Sequence, residues 1–347
     1  MSEIRIIPFE NVHEKEVLLL LDKVFQPWMG DGKYFHWKYK ALEIPECQFP
    51  RAWVAMGGEK VIAFNGYIPR PIQLGGELRW IAQSFDTATD PDCRGQGLFW
   101  KLNSTAYEVM KNNGVSWIYG WASSQGADAI IRKAGWTDWG IQKYLMRIVN
   151  PSRFLKEKIA APFVRTLTAA AFSLHGRTLR PRMPQGFTIK EEIKFPDTVS
   201  ALWKTCEGTF RIATVRDCKY LNWRISRPGS HYRLLCIYQD VSLRGYIVLS
   251  TSEEGILEIE DCASSSKEAM EGLLSATNDI AENDNTFLIR FRVNNLHPWM
   301  RWFQRVGYFW SRSSLPMYLK LLNNKSEDVR YISEFSKMHW TLFDRNE

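Results

Sequence analysis

Long apolar runs and paired cysteines are both missing from this sequence of 347 residues. No stretch approaches the ~18 consecutive apolar residues of a membrane-spanning helix, which argues against an integral membrane protein. The cysteines are Cys47, Cys93, Cys206, Cys218, Cys236 and Cys262. Because they are scattered and form no C-x-x-C pair, neither a disulfide framework nor a zinc site is supported. We expect reduced thiols and no metal.

Composition and charge narrow the class of protein. Residues 1–5 lack the charged-then-apolar pattern of a secretion signal, so we expect a cytoplasmic protein. The hydrophobic fraction of 45% and the charged fraction of 24% argue against disorder, and the length predicts about two domains. The net charge of +7 favours an anionic partner such as nucleic acid, a membrane surface or a phosphorylated cofactor. No helix-turn-helix or finger pattern is present, so DNA is not predicted to be a partner.

The most basic stretch lies near the middle of the chain, at 151–186. Its cations are Arg153, Lys156, Lys158, Arg165, Arg177, Arg180 and Arg182, against the single acid Glu157. A helix is predicted to start near Pro162 within it. We interpret this stretch as a linker between a domain at 1–150 and a domain at 187–347. A basic amphipathic helix can also lie on an acidic membrane, so peripheral membrane contact through this linker is an open alternative.

The two flanking halves share a motif and an order of predicted elements. Residues 34–38 and 220–224 both fit Y-x-x-W-[KR]. After each motif the pattern predicts an antiparallel strand pair, a long helix, a strand, a short helix ending at glycine and a last strand. The strand pairs are 52–56 with 61–68 and 232–238 with 245–250, and the long helices are 97–112 and 267–281. This matched order predicts a duplicated α/β unit, with a mixed, mostly antiparallel sheet flanked by helices in each copy.

A glycine loop between a predicted strand and a predicted helix carries the chemistry. Gly95 and Gly97 allow successive N–H groups to point into one concavity, and the following helix adds its positive N-terminal end. Arg94 adds a full charge beside the loop. This arrangement predicts a phosphate site. The spacing fits neither G-x-x-x-x-G-K-[ST] nor G-x-G-x-x-G, so a P-loop or a dinucleotide fold is disfavoured.

These residues resemble the GNAT superfamily of acyl-CoA-dependent N-acyltransferases. The family signature [QR]-x-x-G-x-[GA] falls on 92–97, where Asp92 departs from the pattern and Arg94-Gly95-Gln96-Gly97-Leu98 fits it. A later family motif falls on 124–136, where Ala127, Lys133, Gly135 and Trp136 match, Ser124 replaces Asn and Ile131 replaces Tyr. The resemblance covers about 3–146 clearly and the second half in outline.

The second half lacks the glycine loop. At its equivalent position, 256–267, three acids would repel a pyrophosphate: Glu258, Glu260 and Asp261. We therefore expect coenzyme A to bind only to the first domain, and the degenerate second copy to shape an acceptor site in an interdomain cleft. This order resembles tandem-GNAT proteins, which include aminoglycoside and amino-sugar acetyltransferases.

The resemblance implies direct acetyl transfer from acetyl-CoA to a small amine, best an amino sugar or sugar nucleotide. Strands 82–89 and 117–121 are expected to splay apart and admit the thioester, with backbone N–H groups near Ala88 and Thr89 holding the oxyanion. The expected cofactor-binding residues are Thr87, Ala88, Thr89, Arg94, Gly95, Gln96, Gly97 and Leu98.

Proton transfer is the open part of this mechanism. Candidates to take the proton of the amine are Asp86, His36 and His339, the last in a predicted terminal strand at 338–343. The family tyrosine that meets the thiolate is Ile131 here. Either another donor serves (Tyr119, Ser123 or Ser124), or the thiolate leaves unassisted, since a thiol pKa near ~8.5 makes it a tolerable leaving group. We select Asp86, His36 and Ser124 as the catalytic candidates.

Two other functions remain open at this point. A FemABX-like aminoacyl transferase also has tandem GNAT domains and uses charged tRNA, which the basic linker would suit. The intact glycine loop favours coenzyme A over that partner. A non-catalytic acyl-CoA-binding protein is the other alternative, and it is favoured by Ile131.

Overall fold

The computed structural model divides the chain into two compact units. It describes residues 3–25, 32–41, 49–122, 131–156, 161–323, 332 and 338–344. Unit 1 comprises Met1–Gly140 and Pro316–Ser333, and unit 2 comprises Ile141–Leu315 and Glu334–Glu347. The chain passes from one unit to the other within two strands, β6 (Thr137–Ile148) and β13 (Phe309–Leu321).

Unit 1 is a mixed sheet with helices. In chain order its elements are β1 (Ile4–Pro8), α1 (Glu14–Phe25), α2 (Gly32–His36) followed by a π-helical turn (Trp37–Ala41), β2 (Ala52–Gly57), β3 (Lys60–Leu74), β4 (Glu77–Thr89), α3 (Leu98–Asn112) and β5 (Val115–Gly120). The strand order is β1-β2-β3-β4-β5, and the end of β13 completes it beside β5. Only β4 and β5 pair in parallel; the other neighbours are antiparallel.

The hairpin of β3 and β4 is longer than the sequence pattern predicted. Strand β3 continues to Leu74 and β4 begins at Glu77, with Leu74 paired to Glu77. Gly75 and Gly76 form the connection, and both have positive φ (60° and 98°). A two-residue hairpin loop of this kind favours glycine, and this one extends both strands beyond their apolar cores. Both strands are therefore long enough to reach from this turn to the glycine loop.

Helix α3 packs on the sheet of unit 1 through one face. Its buried positions Leu98, Leu102, Ala106 and Met110 recur every four residues, which places them on one stripe. They join a core that includes Trp53 of β2 and other aromatic rings of the sheet. Burying a large apolar side chain contributes about 1.5–3 kcal/mol, so this stripe fixes the helix on the sheet. The first turn of α3 is thereby held at the end of β4.

Unit 2 presents the same order of elements. It contains the end of β6, α4 (Pro151–Leu155), α5 (Pro162–Thr178), β7 (Phe187–Glu192), α6 (Val199–Glu207), β8 (Ile212–Thr214), α7 (Cys218–Ile225), β9 (Tyr232–Gln239), β10 (Ser242–Thr251), β11 (Ile256–Ser264), α8 (Lys267–Asn283), β12 (Leu288–Asn294), α9 (Met300–Arg305), the start of β13 and β14 (Met338–His339). Its sheet order is β7-β9-β10-β11-β12-β6. As in unit 1, the strand before the long helix and the strand after it pair in parallel.

The parallel pair of unit 2 separates, and the C-terminal segment bridges the gap. The ladder of β11 and β12 runs only to the pair Ile259–Phe291. Beyond it, the Thr341 hydroxyl donates to Asp261 Oδ1 on β11 at 2.7 Å, and the Trp340 N–H donates to Asn294 Oδ1 on β12 at 3.3 Å. The side chains of Trp340 and Thr341 are fully buried. The chain therefore fills this gap with its own residues.

A buried cation organises the same region. Arg216 Nε lies 3.0 Å from Asp261 Oδ2 and its Nη2 lies 2.7 Å from Asp344 Oδ2, with all three side chains fully buried. Burial alone would raise the pKa of Asp261, but the charge of Arg216 holds it well below its usual range. These contacts tie β11 to the C-terminal turn Leu342–Asp344.

The structure confirms the α/β fold expected from the sequence, with mixed sheets flanked by helices. The predicted long helices correspond to α3 and α8, and the predicted strand pairs correspond to β2 with β3 and β9 with β10. The terminal strand predicted at 338–343 is wrong. Only Met338–His339 is a strand, because Asp344 accepts a hydrogen bond from the Thr341 N–H and turns the chain into a 3₁₀ helix.

Replacing Arg216 is predicted to destabilise unit 2 strongly. Arg216→Met leaves two buried carboxylates without their cation, and breaking a buried pair costs about 3–5 kcal/mol. Urea unfolding should show that loss of free energy of unfolding. The matched control is Arg233→Met, which removes half-exposed ion pairs with Glu191 and Asp284 and should cost under about 1 kcal/mol. Equal losses in the two variants would contradict this assignment.

Unit 2 is also predicted to lose stability at mildly acidic pH. His297 Nε2 and His339 Nδ1 are 2.7 Å apart and fully buried, and burial lowers the pKa of both rings. Below the unfolded pKa of about 6.5 the unfolded chain binds these protons and the folded chain does not, so stability falls as the pH drops. Urea unfolding at pH values from about 7.5 to about 5 should show the free energy of unfolding falling as the pH drops. His297→Gln should flatten it, and an unchanged slope in that variant would refute the explanation.

Candidate functional site

A bulge in β4 interrupts the sheet of unit 1 at Asp86. The register of β3 and β4 shifts between Phe64 and Gly66, so that two residues of β4, Asp86 and Thr87, face the single residue Asn65. Asp86 has a φ of +45°, a left-handed conformation that non-glycine residues seldom adopt. Such bulges redirect a strand and often lie beside active sites.

Lys38, the last residue of the Y-x-x-W-K motif, and Tyr39, which follows it, hold this bulge. Lys38 Nζ lies 2.9 Å from Asp86 Oδ2 and 3.1 Å from Oδ1, and the Tyr39 hydroxyl donates to Oδ2 at 2.7 Å. The Lys38 side chain is 4% exposed and the Asp86 side chain 14%. Burial, followed by the charge of Asp86, raises the pKa of Tyr39 well above its usual value. Tyr39 is therefore a neutral donor to a carboxylate that is already paired with a cation.

Close packing at Gly66 reinforces the same contact. A Cβ atom on Gly66 would lie 2.2 Å from the Tyr39 hydroxyl oxygen, so no other residue fits there without displacing the ring. Lys38 also lies over the Phe85 ring, with Nζ 4.3 Å from its centroid. The backbone of β3 and the π-helical turn Trp37–Ala41 are thus in direct contact at the bulge.

The parallel ladder between β4 and β5 stops before the bulge. The paired residues run from Trp80–Val115 to Gln83–Tyr119, and β4 continues for six more residues to Thr89. In that extension, Asp86 accepts hydrogen bonds from Lys38 and Tyr39 of the π-helical turn, and the Thr87 hydroxyl donates to Asn65 of β3. The two strands separate as predicted, and among the described residues one edge of β4 has no strand partner between Ser84 and Thr89.

A buried polar network joins this edge to helix α3. The hydroxyl of Thr87 donates to Asn65 Oδ1 at 3.0 Å, and Asn65 Nδ2 donates to Asn103 Oδ1 at 2.9 Å. Asn103 Nδ2 in turn donates to the Phe99 carbonyl at 2.7 Å. Because Asn65 and Asn103 are buried, each bond would be expensive to lose, and the network fixes the bulge relative to the first turn of α3.

The glycine loop lies between the bulge and α3, and it leaves backbone donors open. Gly95 and Gly97 have φ values of +80° and +71°, and Gly97 caps α3 without any side-chain hydrogen bond. Among the described residues, the N–H groups of Gly95, Gln96 and Gly97 donate to no protein acceptor. Arg94, Gly95 and Gln96 are exposed to solvent. Open amides at a helix N-terminus favour an anion such as phosphate.

Lysines neutralise the acids beside this loop. Asp90 is 1% exposed and pairs with Lys23 at 2.6 Å and with Lys60 at 2.9 Å, and these bonds hold its pKa well below its usual range. Lys23 also pairs with Asp92, the residue that departs from the family signature, at 2.8 Å. Asp90 accepts a hydrogen bond from the Asp92 N–H, which starts the 3₁₀ turn Pro91–Cys93. The acids therefore shape the loop while their charge is offset.

The equivalent position in unit 2 is closed. Helix α8 is capped by Ser266, whose hydroxyl accepts from the Ala269 N–H at 3.2 Å. The donor that α3 leaves open is thus satisfied here by the chain itself. No glycine with positive φ lies between Ile256 and Lys267. Unit 2 therefore lacks the open amides of unit 1.

The structure brings only some of the predicted catalytic groups together. Asp86 contacts Lys38 and Tyr39, which the sequence analysis did not select. His36 is the last residue of α2 and is exposed, and no described hydrogen bond joins it to Asp86. His339 is fully buried beside Asp261 in unit 2, and Ser123 and Ser124 lie outside the described residues.

The remaining predicted positions are also located. Tyr119 is buried and donates to Gln83 Oε1 at 3.0 Å, and Ile131 packs against the core of unit 1. Thr87 is exposed and Ala88 is buried on the separated edge of β4. Among the described residues, no group of three metal-ligating side chains is present. The motif repeat was the one signal in the sequence that pointed to Lys38.

Comparison with known proteins identifies the domain that carries this site. Residues 5–138 match the family described as acetyltransferase (GNAT) domain. No curated protein matches the sequence of the chain.

Solved structures share the fold at low sequence identity. A probable N-acyltransferase from Enterococcus faecalis is 12% identical with a TM-score of 0.67, over 92% of this chain and 73% of that one. A GCN5-related N-acetyltransferase from Anabaena variabilis is 13% identical with a TM-score of 0.67, over the same shares. An N-myristoyltransferase from Saccharomyces cerevisiae with bound myristoyl-CoA is 13% identical with a TM-score of 0.58, over 92% of this chain and 79% of that one. The family match over residues 5–138 and the fold shared with these structures support an acyltransferase.

Proposed function

We propose that unit 1 binds acetyl-CoA and transfers its acetyl group to a small amine, an amino sugar or a sugar nucleotide being the best candidate. The observation that carries this proposal is the row of open amides at Gly95–Gly97, directly beside the separated edge of β4. A phosphate site next to an unpaired strand edge suits a ligand with a pyrophosphate and an extended thioester arm. Coenzyme A has both.

The pyrophosphate would lie on the glycine loop. Its oxygens would accept hydrogen bonds from the amides of the loop and from the first turn of α3, and Arg94 would add a charge. The proposed cofactor-binding residues are Thr87, Ala88, Thr89, Arg94, Gly95, Gln96, Gly97 and Leu98. The pairing of Lys23 and Lys60 with Asp90 supports this assignment, because it offsets the acid nearest the loop.

The thioester arm would follow the edge of β4 that β5 leaves free. Backbone N–H groups on this edge near Ala88 and Thr89 would hold the thioester oxygen. When the amine attacks the carbonyl carbon, the C–N bond forms, negative charge develops on that oxygen, and the C–S bond then breaks. A preorganised donor at such an oxygen lowers the barrier by about 3–4 kcal/mol. The bulge aims these donors, which gives it a role in the reaction.

Asp86 would act as a positioning residue. Both of its carboxylate oxygens already accept hydrogen bonds from Lys38, and one accepts a further bond from Tyr39. A carboxylate engaged in this way is poorly placed to take a proton from an amine. Its ion pair with Lys38 instead holds the backbone of Asp86 in the left-handed conformation that forms the bulge.

The proton of the amine needs another acceptor, and His36 is the exposed candidate. Histidine is the side chain that most often serves as a general base in enzymes. Ser124 is the proposed donor to the departing thiolate, since the family tyrosine is replaced by Ile131. If neither His36→Gln nor Ser124→Ala changes the pH profile of kcat/KM, water would be the proton carrier in both steps.

An isosteric pair of variants at Gly95 tests the cofactor site. Asn and Asp both tolerate positive φ and differ in charge, and a Cβ at Gly95 meets no neighbour within 4 Å. Gly95→Asp places a carboxylate where the pyrophosphate would bind and should weaken acetyl-CoA binding at least about tenfold more than Gly95→Asn. Isothermal titration measures both. Equal affinities, or no binding by the unaltered protein, would reject this cofactor site.

A double-mutant cycle at the bulge tests the positioning role. Lys38→Met and Asp86→Asn should each lower kcat at least about tenfold, and the double variant should lose little more, because one ion pair is removed in every case. Release of the coenzyme A thiol measures kcat with amino sugars as acceptors. If only Asp86→Asn loses activity and its pH profile loses the basic limb, Asp86 is the general base instead.

The acyl donor and acceptor are tested in the same assay. Acetyl-CoA is compared with longer acyl-CoA molecules, including the myristoyl-CoA bound by the yeast neighbour. Acceptors are amino sugars and their nucleotide derivatives. Binding of acetyl-CoA without turnover on any amine would favour a non-catalytic acyl-CoA-binding protein.

A further inference from the structure

Helix α5 of unit 2 presents an apolar face to solvent. The face consists of Phe163, Val164, Leu167, Ala170, Ala171 and Leu174, which follow helical spacing and are all exposed. Phe163 is 75% exposed, Leu167 56% and Leu174 68%. Among the side chains of this helix that the structure describes, Ala169 is buried, and it lies on the opposite side. An amphipathic helix normally turns its apolar face inward, so this reversal needs a partner.

The helix is long enough to lie on a membrane and too short to cross one. It has 17 residues, and its sequence contains Arg165 and Arg177. Among the described helices, none has the length and hydropathy needed to span a bilayer. A helix with one apolar face and basic residues around it binds in the plane of the interface, with its apolar side chains among the acyl chains.

The charge around α5 selects an anionic surface. The helix itself contains no acidic residue. Its C-terminal end leads into a cavity of about 270 Å³ whose lining includes Arg180, Arg182, Lys267 and Arg305 against the single acid Glu271. Arg180 pairs with Asp279 and Glu282. No described carboxylate pairs with the other three cations.

Lys267 strengthens the argument for an anionic partner. It is the first residue of α8, where the helix dipole disfavours a cation. Trp302 also lines the cavity and is half-buried, as indole rings are at membrane interfaces. The apolar face and the basic cavity are joined in sequence by residues 178–182. The face is complementary to the acyl chains of an anionic membrane, and the cavity is complementary to its headgroup phosphates.

We propose that α5 docks unit 2 on an anionic lipid bilayer, its apolar face inserted among the acyl chains and the cations at its C-terminal end bound to headgroup phosphates. This inference is independent of the proposed acyl transfer. It would place the enzyme at a membrane surface, where it could meet acceptors carried on lipids.

Vesicle co-sedimentation tests the docking. The full chain should bind vesicles of equal amounts of phosphatidylcholine and phosphatidylglycerol, and bind phosphatidylcholine alone much less. The triple variant Phe163→Ser, Leu167→Ser, Leu174→Ser should bind at least about tenfold more weakly, since each buried large side chain is worth about that factor. The matched control, Val12→Ser, Leu78→Ser, Val241→Ser, removes equally exposed apolar side chains elsewhere and should bind normally.

Charge and location are tested separately. The variant that combines Arg182→Gln, Lys267→Gln and Arg305→Gln should bind anionic vesicles more weakly and bind phosphatidylcholine vesicles as before. Inorganic phosphate should displace the protein from anionic vesicles much less than an excess of unlabelled anionic vesicles does. Hydrogen exchange should show protection of 162–178 when vesicles are added. Unchanged melting temperatures establish that the variants fold, which is expected because every substituted side chain is exposed.

Several results would overturn the proposal. These are no binding of the unaltered protein, full binding by the triple variant, or protection confined to other segments. Concentration-dependent dimers that the triple variant abolishes, without vesicle binding, would show that a second copy covers the face. Gly95→Asp should bind vesicles normally, so failure here and failure of the cofactor site are distinguishable.

Discussion

The point at which the parallel strands of each unit separate decides what that unit can hold. In unit 1 the ladder of β4 and β5 ends at Gln83 and Tyr119, and in unit 2 the ladder of β11 and β12 ends at Ile259 and Phe291. Backbone groups beyond these points have lost a partner and need another one. The two units differ in what pairs with these backbone groups, and the other differences between the units depend on this.

Unit 1 prepares its open edge with long-range contacts. The Lys38–Asp86 pair joins residues 48 apart, and the Thr87–Asn65–Asn103 network joins the bulge to α3. These bonds hold the backbone of the edge in place without any ligand, which is the preorganisation that the proposed transfer would need. The left-handed strain at Asp86 is sustained by this surrounding structure.

Local patterns in the sequence predicted the fold and the loop, and long-range pairs limited the rest. The glycine loop was predictable because strand, turn and helix lie within 20 residues and each has its own pattern. The extended β3–β4 hairpin was missed although Gly75-Gly76 marks it, because the apolar pattern ends earlier. Asp86 was selected for its type and place, but its partner is set by tertiary folding. The sequence could not show that Lys38 Nζ lies 2.9 Å from the Asp86 carboxylate, because the two residues are 48 positions apart in the chain.

In unit 2 the same strand separation is closed by residues of the chain itself. Ser266 satisfies the helix donor that Gly97 leaves open, and the C-terminal segment bridges β11 and β12 through Thr341 and Trp340. Arg216 fixes that segment by binding Asp261 and Asp344 without any exposure to solvent. The cation of a buried pair therefore has opposite consequences in the two units. In unit 1 it shapes an edge that stays partly exposed, and in unit 2 it holds the segment that fills the gap between β11 and β12.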